Sequence, residues 1–155
     1  MCKGATMRSV SGGFSVDSRA SVTVLLASPL EEDHSSLRGI LRRSRWRLFG
    51  TGTYDEALAL IRRHAVPVVI CERTLPDGDW KTLLAAMANM PHRPQLIVSS
   101  RLADHHLWAD VLSLGGYDLL MTPFDAAEVS RVVFLAWHST RRGAAHSAAA
   151  PATAA

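Results

Sequence analysis

Disulfide chemistry, a membrane span and a secretion signal are all missing from this chain of 155 residues. Its two cysteines have nothing in common, since Cys2 lies in a polar stretch and Cys71 in an apolar run, so no disulfide framework is expected and a reduced, intracellular setting is. No apolar run approaches the ~20 residues of a membrane helix. The first twenty residues, rich in Ser and Gly, contain no continuous apolar core of a signal peptide. A cytoplasmic protein without membrane contact is therefore expected. Aromatic residues are scarce at 6%, there is no internal repeat, and no glycine-rich loop is placed to cradle phosphate. An excess of one charge is also missing from the middle of the chain. Residues 22–138 hold 12 Lys and Arg against 13 Asp and Glu, so the overall formal charge of +3 belongs to the ends, where Lys3, Arg8, Arg19, Arg141 and Arg142 face Asp17 alone. Nucleic acid is accordingly not expected as a partner of the core.

What is present is enough for one compact domain: 48% hydrophobic and 20% charged residues. Residues 1–20 have no period and are expected to be a disordered leader, and 141–155 a disordered, Ala-rich tail. Between them, five apolar runs alternate with five amphipathic segments. The runs begin at Val22, Arg45, Val66, Gln95 and Tyr117, and the third, Val66 to Glu72, reads as a strand buried on both faces. Thr53 with Glu56 has capping-box spacing, Glu31, Glu32 and Asp33 complement a helix N-terminus, and Gly115-Gly116 ends the fourth helix. Inward stripes are predicted at Leu37, Ile40, Leu41 and Ser44; at Ala57, Leu58 and Ile61; at Leu83, Leu84 and Met87; at Trp108, Val111, Leu112 and Gly115; and at Val129, Val132, Val133 and Ala136. Strict alternation of strand and helix predicts a doubly wound α/β protein with a flavodoxin-like, five-stranded parallel sheet in the order 2-1-3-4-5.

In its segments VTVLLA, LRGILRR, VVICERTLPDGDW, LIVSS and GGYDLLMTPFDAAEV, the chain resembles the receiver domain of two-component response regulators over residues 21–140. The last segment is the most specific, being similar to the family's passage through Lys-Pro-Phe into the final helix. The resemblance implies a (βα)5 fold and a phosphoacceptor aspartate at the end of the third strand. Glu72 stands there instead. It implies an acidic, Mg²⁺-binding pair ending the first strand, where Ser28 and Pro29 stand, and a lysine ending the fifth, where Thr122 stands. Ser99 matches the family's hydroxyl position, and Leu119 occupies that of its switch aromatic. Only the hydroxyl is kept.

Phosphoryl transfer depends on positioning and on neutralising charge with a metal and a cation, and both supports are lost. No metal, cofactor or catalytic activity is therefore expected, and the first reading is a degenerate, stand-alone receiver acting through protein contacts. Two readings of Glu72 stay open: a carboxylate reaching toward Ser99 in imitation of phosphoaspartate, or a solvated strand end. One alternative is a receiver still phosphorylated on Glu72, Asp77 or Asp79 with unorthodox metal ligands, and another is a DNA-associated regulator using its basic tails. His105-His106, the arginines between 38 and 47, and Cys71 are read as ordinary surface and core residues. Leu107, Leu114, Phe134 and Trp137 fall outside the predicted stripes, which suggests a contact surface on the fourth helix, fifth strand and fifth helix for a protein partner or a second copy.

Overall fold

The computed structural model describes residues 22–149, with side chains through Arg142. Five strands, β1 (Thr23–Ala27), β2 (Arg47–Thr51), β3 (Val68–Glu72), β4 (Gln95–Ser100) and β5 (Asp118–Met121), alternate with five helices. These are α1 (Glu31–Leu41), α2 (Tyr54–His64), α3 (Trp80–Met87), α4 (His105–Leu114) and α5 (Ala126–Ala149). All neighbouring strands are parallel, in the order β2-β1-β3-β4-β5, as the pattern predicted.

Strand alternation builds the core on both faces at once. Leu25 and Ala27 of β1, Val69 and Cys71 of β3, and Leu96 and Val98 of β4 pack with α2, α3 and α4. Val24, Leu26, Val68, Ile70, Ile97 and Leu120 point the other way, into the layer of α1 and α5. A central strand apolar at every position is the signature of a sheet covered on both sides.

Local chemistry ends the elements where expected in two cases. Thr53 Oγ1 accepts from Glu56 N (3.2 Å) at the start of α2, and Gly115, at φ +106°, closes α4 in the left-handed region that glycine adopts without strain. Ser44 is not part of the stripe of α1; its hydroxyl donates to Leu41 O (2.7 Å) past the helix end. After β3 the Leu75-Pro76-Asp77-Gly78 turn forms a two-residue antiparallel hairpin, Thr74–Leu75 against Gly78–Asp79, that buries Leu75 and leads into buried Trp80.

Two expectations are corrected. Where the tail was expected to begin, at 141, α5 continues through Ala149, and Arg and Ala are strong helix formers. Residues 1–20, expected to be a disordered leader, and residues 150–155 lie outside the described residues. On α4 the inward residues are Leu107 and Val111, four apart, while Trp108 and Leu112 are exposed. Asp104 sets this phase: its Oδ1 accepts from Leu107 N (2.9 Å), starting the helix two residues later than Ala103. Leu107 is therefore core and not contact surface.

Candidate functional site

Parity places the site. Ser28 continues the Val24–Leu26 side of β1, Glu72 the Val68–Ile70 side of β3, Ser99 the Ile97 side of β4 and Thr122 the Leu120 side of β5. All four stand at the carboxyl ends of their strands on the α1 and α5 side, where open α/β sheets carry their sites. Glu72 and Ser99 are paired in register. The sequence-predicted residues thus come together, with Pro29 exposed at the rim; Leu119 points to the other layer and packs, half-buried, against the α2–α4 core.

Two residues join them that sequence reasoning left on the surface or did not single out. Asp33 is buried and its Oδ2 accepts from Ser28 Oγ (2.8 Å); His34 is buried and its Nε2 lies 2.8 Å from Ser28 O. The signal was legible: 33, 37 and 41 share one helical stripe, so the third acid of the first turn points inward. Gly50 makes room for His34, since a Cβ there would lie 2.7 Å from Nδ1. Glu32 and Arg101 form an ion pair linking the start of α1 to the loop after β4, across the end of the strand that lies between β1 and β4.

The charge that remains is already engaged. Glu72 Oε1 accepts from Arg73 N (2.7 Å), so the carboxylate turns back on its own loop, and Ser99 Oγ is left buried without a partner among the described residues. A carboxylate extended to Ser99 is not what the structure contains, because the adjacent amide is the nearer donor. Burial pushes the Glu72 carboxyl above its ordinary value, and the charge of Asp33 adds to this against the opposing amide of Arg73. Thr122 brings a second buried, unpartnered hydroxyl to the place of a lysine.

A divalent cation does not fit these donors. Mg²⁺ takes oxygen ligands in a near-octahedral set. Here Ser28 is neutral, Pro29 has no side-chain oxygen, Asp33 is bonded to Ser28 and Glu72 to its own loop. Among the described residues no three His, Cys, Asp or Glu side chains are grouped to hold a metal ion. The neighbouring acids are structural. Asp77 accepts from Tyr54 N (2.6 Å) and Asp55 N (3.1 Å) at the start of α2, and Asp79 accepts from Thr82 N (3.0 Å) and Oγ1 (2.9 Å) at the start of α3; these bonds hold both carboxyls below the usual range. Cys71 is buried, and burial pushes its thiol far up, as an inert core residue requires. A groove of about 1070 Å³, bordered by Pro67, Met87, Arg93 and Trp137, lies at the opposite end of the sheet and takes no part in this site.

No family model matches the sequence, and no curated protein matches it. Solved structures do. The signal receiver domain assigned to a LuxO repressor protein of Vibrio parahaemolyticus superposes with a TM-score of 0.74 at 18% identity, covering 80% of this chain and 95% of that one. The receiver domain of an HD domain-containing protein from Pseudomonas fluorescens Pf-5 gives 0.71 at 24% identity, over 79% and 99%. A CheY-like receiver domain protein from Methanospirillum hungatei JF-1 gives 0.70 at 18%, over 80% and 99%. This chain has the receiver-domain fold. Exposed on α4, β5 and α5 are Trp108 (48%), Leu114 (54%), Met121 (51%) and Phe134 (45%). Of the four residues expected to form a contact surface, Leu114 and Phe134 are exposed, Trp137 is half-buried against the α1–α5 core, and Leu107 is inside. No helix among the described residues is long and apolar enough to cross a membrane.

Proposed function

We propose that this chain is a receiver-like module of cytoplasmic signal transduction that acts by protein contact, without accepting phosphate and without catalysis. The observation that carries this reading is the state of Glu72: a half-buried carboxylate bonded to the next amide, with a serine, a proline and a threonine where a metal and a phosphoryl group need charge. An in-line attack requires a free, correctly placed oxygen and a metal to neutralise the incoming charge, and neither is supplied. The contact face is that of α4, β5 and α5, and its support is the exposure of Trp108, Met121 and Phe134 on these elements. A second copy or a partner protein would cover it.

Incubation with acetyl phosphate and Mg²⁺, followed by intact-mass measurement, is expected to give no phosphate adduct on the native chain. A stable or turning-over adduct would overturn the reading. For the face, the double variant Trp108→Ser/Phe134→Ser is expected to lower the mass of any assembly seen by light scattering while leaving the melting temperature within a few degrees of the parent. An assembly of unchanged mass would remove this face from the proposal.

A further inference from the structure

No aspartate or glutamate lies between Asp33 and Asp55, and this stretch carries Arg42, Arg43, Arg45 and Arg47. The fold brings Arg62 and Arg63 to the same edge of the sheet, on the face opposite α1, because β2 meets the end of α2 through Phe49 and His64, whose ring centroids are 4.8 Å apart. All six arginines are exposed, and Arg42, Arg43, Arg62 and Arg63 have no carboxylate partner among the described residues. Helix dipoles do not cancel this charge. With Arg45 left out of the sum, five arginines stand against C-termini of α1 and α2 that contribute about −0.5 each, which leaves roughly four positive charges at one edge of the sheet.

The character of the patch selects its partner. A protein interface wants an apolar centre with aromatic anchors, and none of the exposed large hydrophobic residues lies at this corner. Single-stranded nucleic acid wants a free aromatic platform. Phe49 is not free: it is half-buried, with the Arg47 guanidinium 5.6 Å above its ring and His64 beside it, while Trp46 packs on the α1–α5 core. What remains is a cluster of forked, fully ionised donors on a rigid frame, the chemistry that suits phosphate.

We propose that the arginine corner formed by the end of α1, the start of β2 and the end of α2 binds the phosphate backbone of duplex DNA without sequence preference. This revises the expectation that the core has no part in nucleic-acid binding. The corner lies at the β2 edge, opposite the β5 edge that carries the protein-contact face, so both can be occupied together.

The test uses the full chain and a labelled, random-sequence DNA duplex, with binding followed by fluorescence anisotropy as NaCl is raised from about 50 to about 200 mM. Binding is expected, with log K falling linearly against log salt. The quadruple variant Arg42→Gln/Arg43→Gln/Arg62→Gln/Arg63→Gln is expected to bind at least tenfold more weakly at low salt, with a slope shallower by about one for each phosphate no longer neutralised. The pair Arg62→Gln/Arg63→Gln is expected to show part of the same change, and it decides the matter if the quadruple variant does not fold. The four Arg→Lys changes are expected to keep most of the slope. Any of four results would overturn the proposal: no binding at about 50 mM salt, unchanged binding by the glutamine variants, binding lost in Arg8→Gln/Arg19→Gln instead, or single-stranded DNA or polyglutamate competing as well as the duplex.

Discussion

The phase of α4 decides which residues of the contact face are available, and truncating two adjacent side chains measures it. Leu107 is 4% exposed and packs with Val111 and Val98 between α4 and the sheet, whereas Trp108 is 48% exposed. Leu107→Ala deletes a buried isobutyl group and leaves a cavity, which costs about 2–5 kcal/mol. In a domain of this size each kcal/mol moves the melting temperature by about 2–4 °C, so a loss of roughly 10 °C is expected. Trp108→Ala removes the larger side chain, yet about half of it already contacts water, so a cost within about 1 kcal/mol is expected, in the range of surface substitutions. Urea unfolding of both variants, read at constant m, gives the comparison directly. If Trp108→Ala were the more damaging, α4 would be turned by about 100°, one residue's worth of helix, and Leu107 would return to the surface.

The Glu72 carboxyl is raised above its ordinary value of 4.5 chiefly by burial, so its protonation favours the folded state: this contribution is complete below 4.5 and is lost as pH rises through the folded value. The parent is therefore expected to gain stability relative to Glu72→Gln as pH falls from neutral toward 4.5, and a pH-independent difference in urea midpoints would refute this. Asp77, Asp79 and Asp104 act in the opposite sense, since amide bonds lower their pKa, and their contribution is lost only as pH falls below 3.8 through the folded values. Gly50→Ala would force its Cβ against His34 and disturb the bond to Ser28 O; a cost of about 1–3 kcal/mol by urea unfolding is expected, and a neutral change would mean that His34 moves freely. Asp77→Ala leaves the Tyr54 and Asp55 amides without their acceptor, so faster hydrogen exchange at those two amides is expected, with the rest of α2 protected as before.

Sheet order and crossovers were readable because β1, β3 and β4 are apolar at consecutive positions and each helix has a cap or a breaker in its own sequence. The meeting of Ser28, Glu72, Ser99 and Thr122 was expected from the resemblance, position by position, and strand parity accounts for it. The phase of α4 was not readable in this way: 108, 111, 112 and 115 make as good a helical stripe as 107 and 111, Val111 belongs to both, and only packing on the sheet with the Asp104 cap separates them. Asp33 and His34 escaped for a different reason. Acids and histidine at a helix start normally face water, and their burial here depends on partners distant in sequence: the Ser28 hydroxyl and carbonyl, and the space left by Gly50. The arginine corner was visible as a run from 38 to 47, but its continuation through Arg62 and Arg63 required the packing of Phe49 on His64.

A ligand can shift an equilibrium between two conformations only by the difference in its affinity for them, and a near-complete switch takes about 5.5 kcal/mol. On the proposed reading no such difference is expressed through a phosphoryl group: Thr122 carries no charge, the Glu72 carboxylate accepts from Arg73 N, and Leu119 packs, half-buried, in the α2–α4 layer. The Glu32–Arg101 ion pair ties α1 to the loop that leads into α4, but both side chains are half or more exposed, so it contributes at most about 1 kcal/mol. What holds the α4–β5–α5 face in place is therefore the core beneath it, Leu107 and Val111 on one side of β5 and Val129, Val132 and Val133 on the other. Regulation on the proposed reading comes from the supply of the partner that covers this face, or from whatever is held at the arginine edge, and not from chemistry at Glu72.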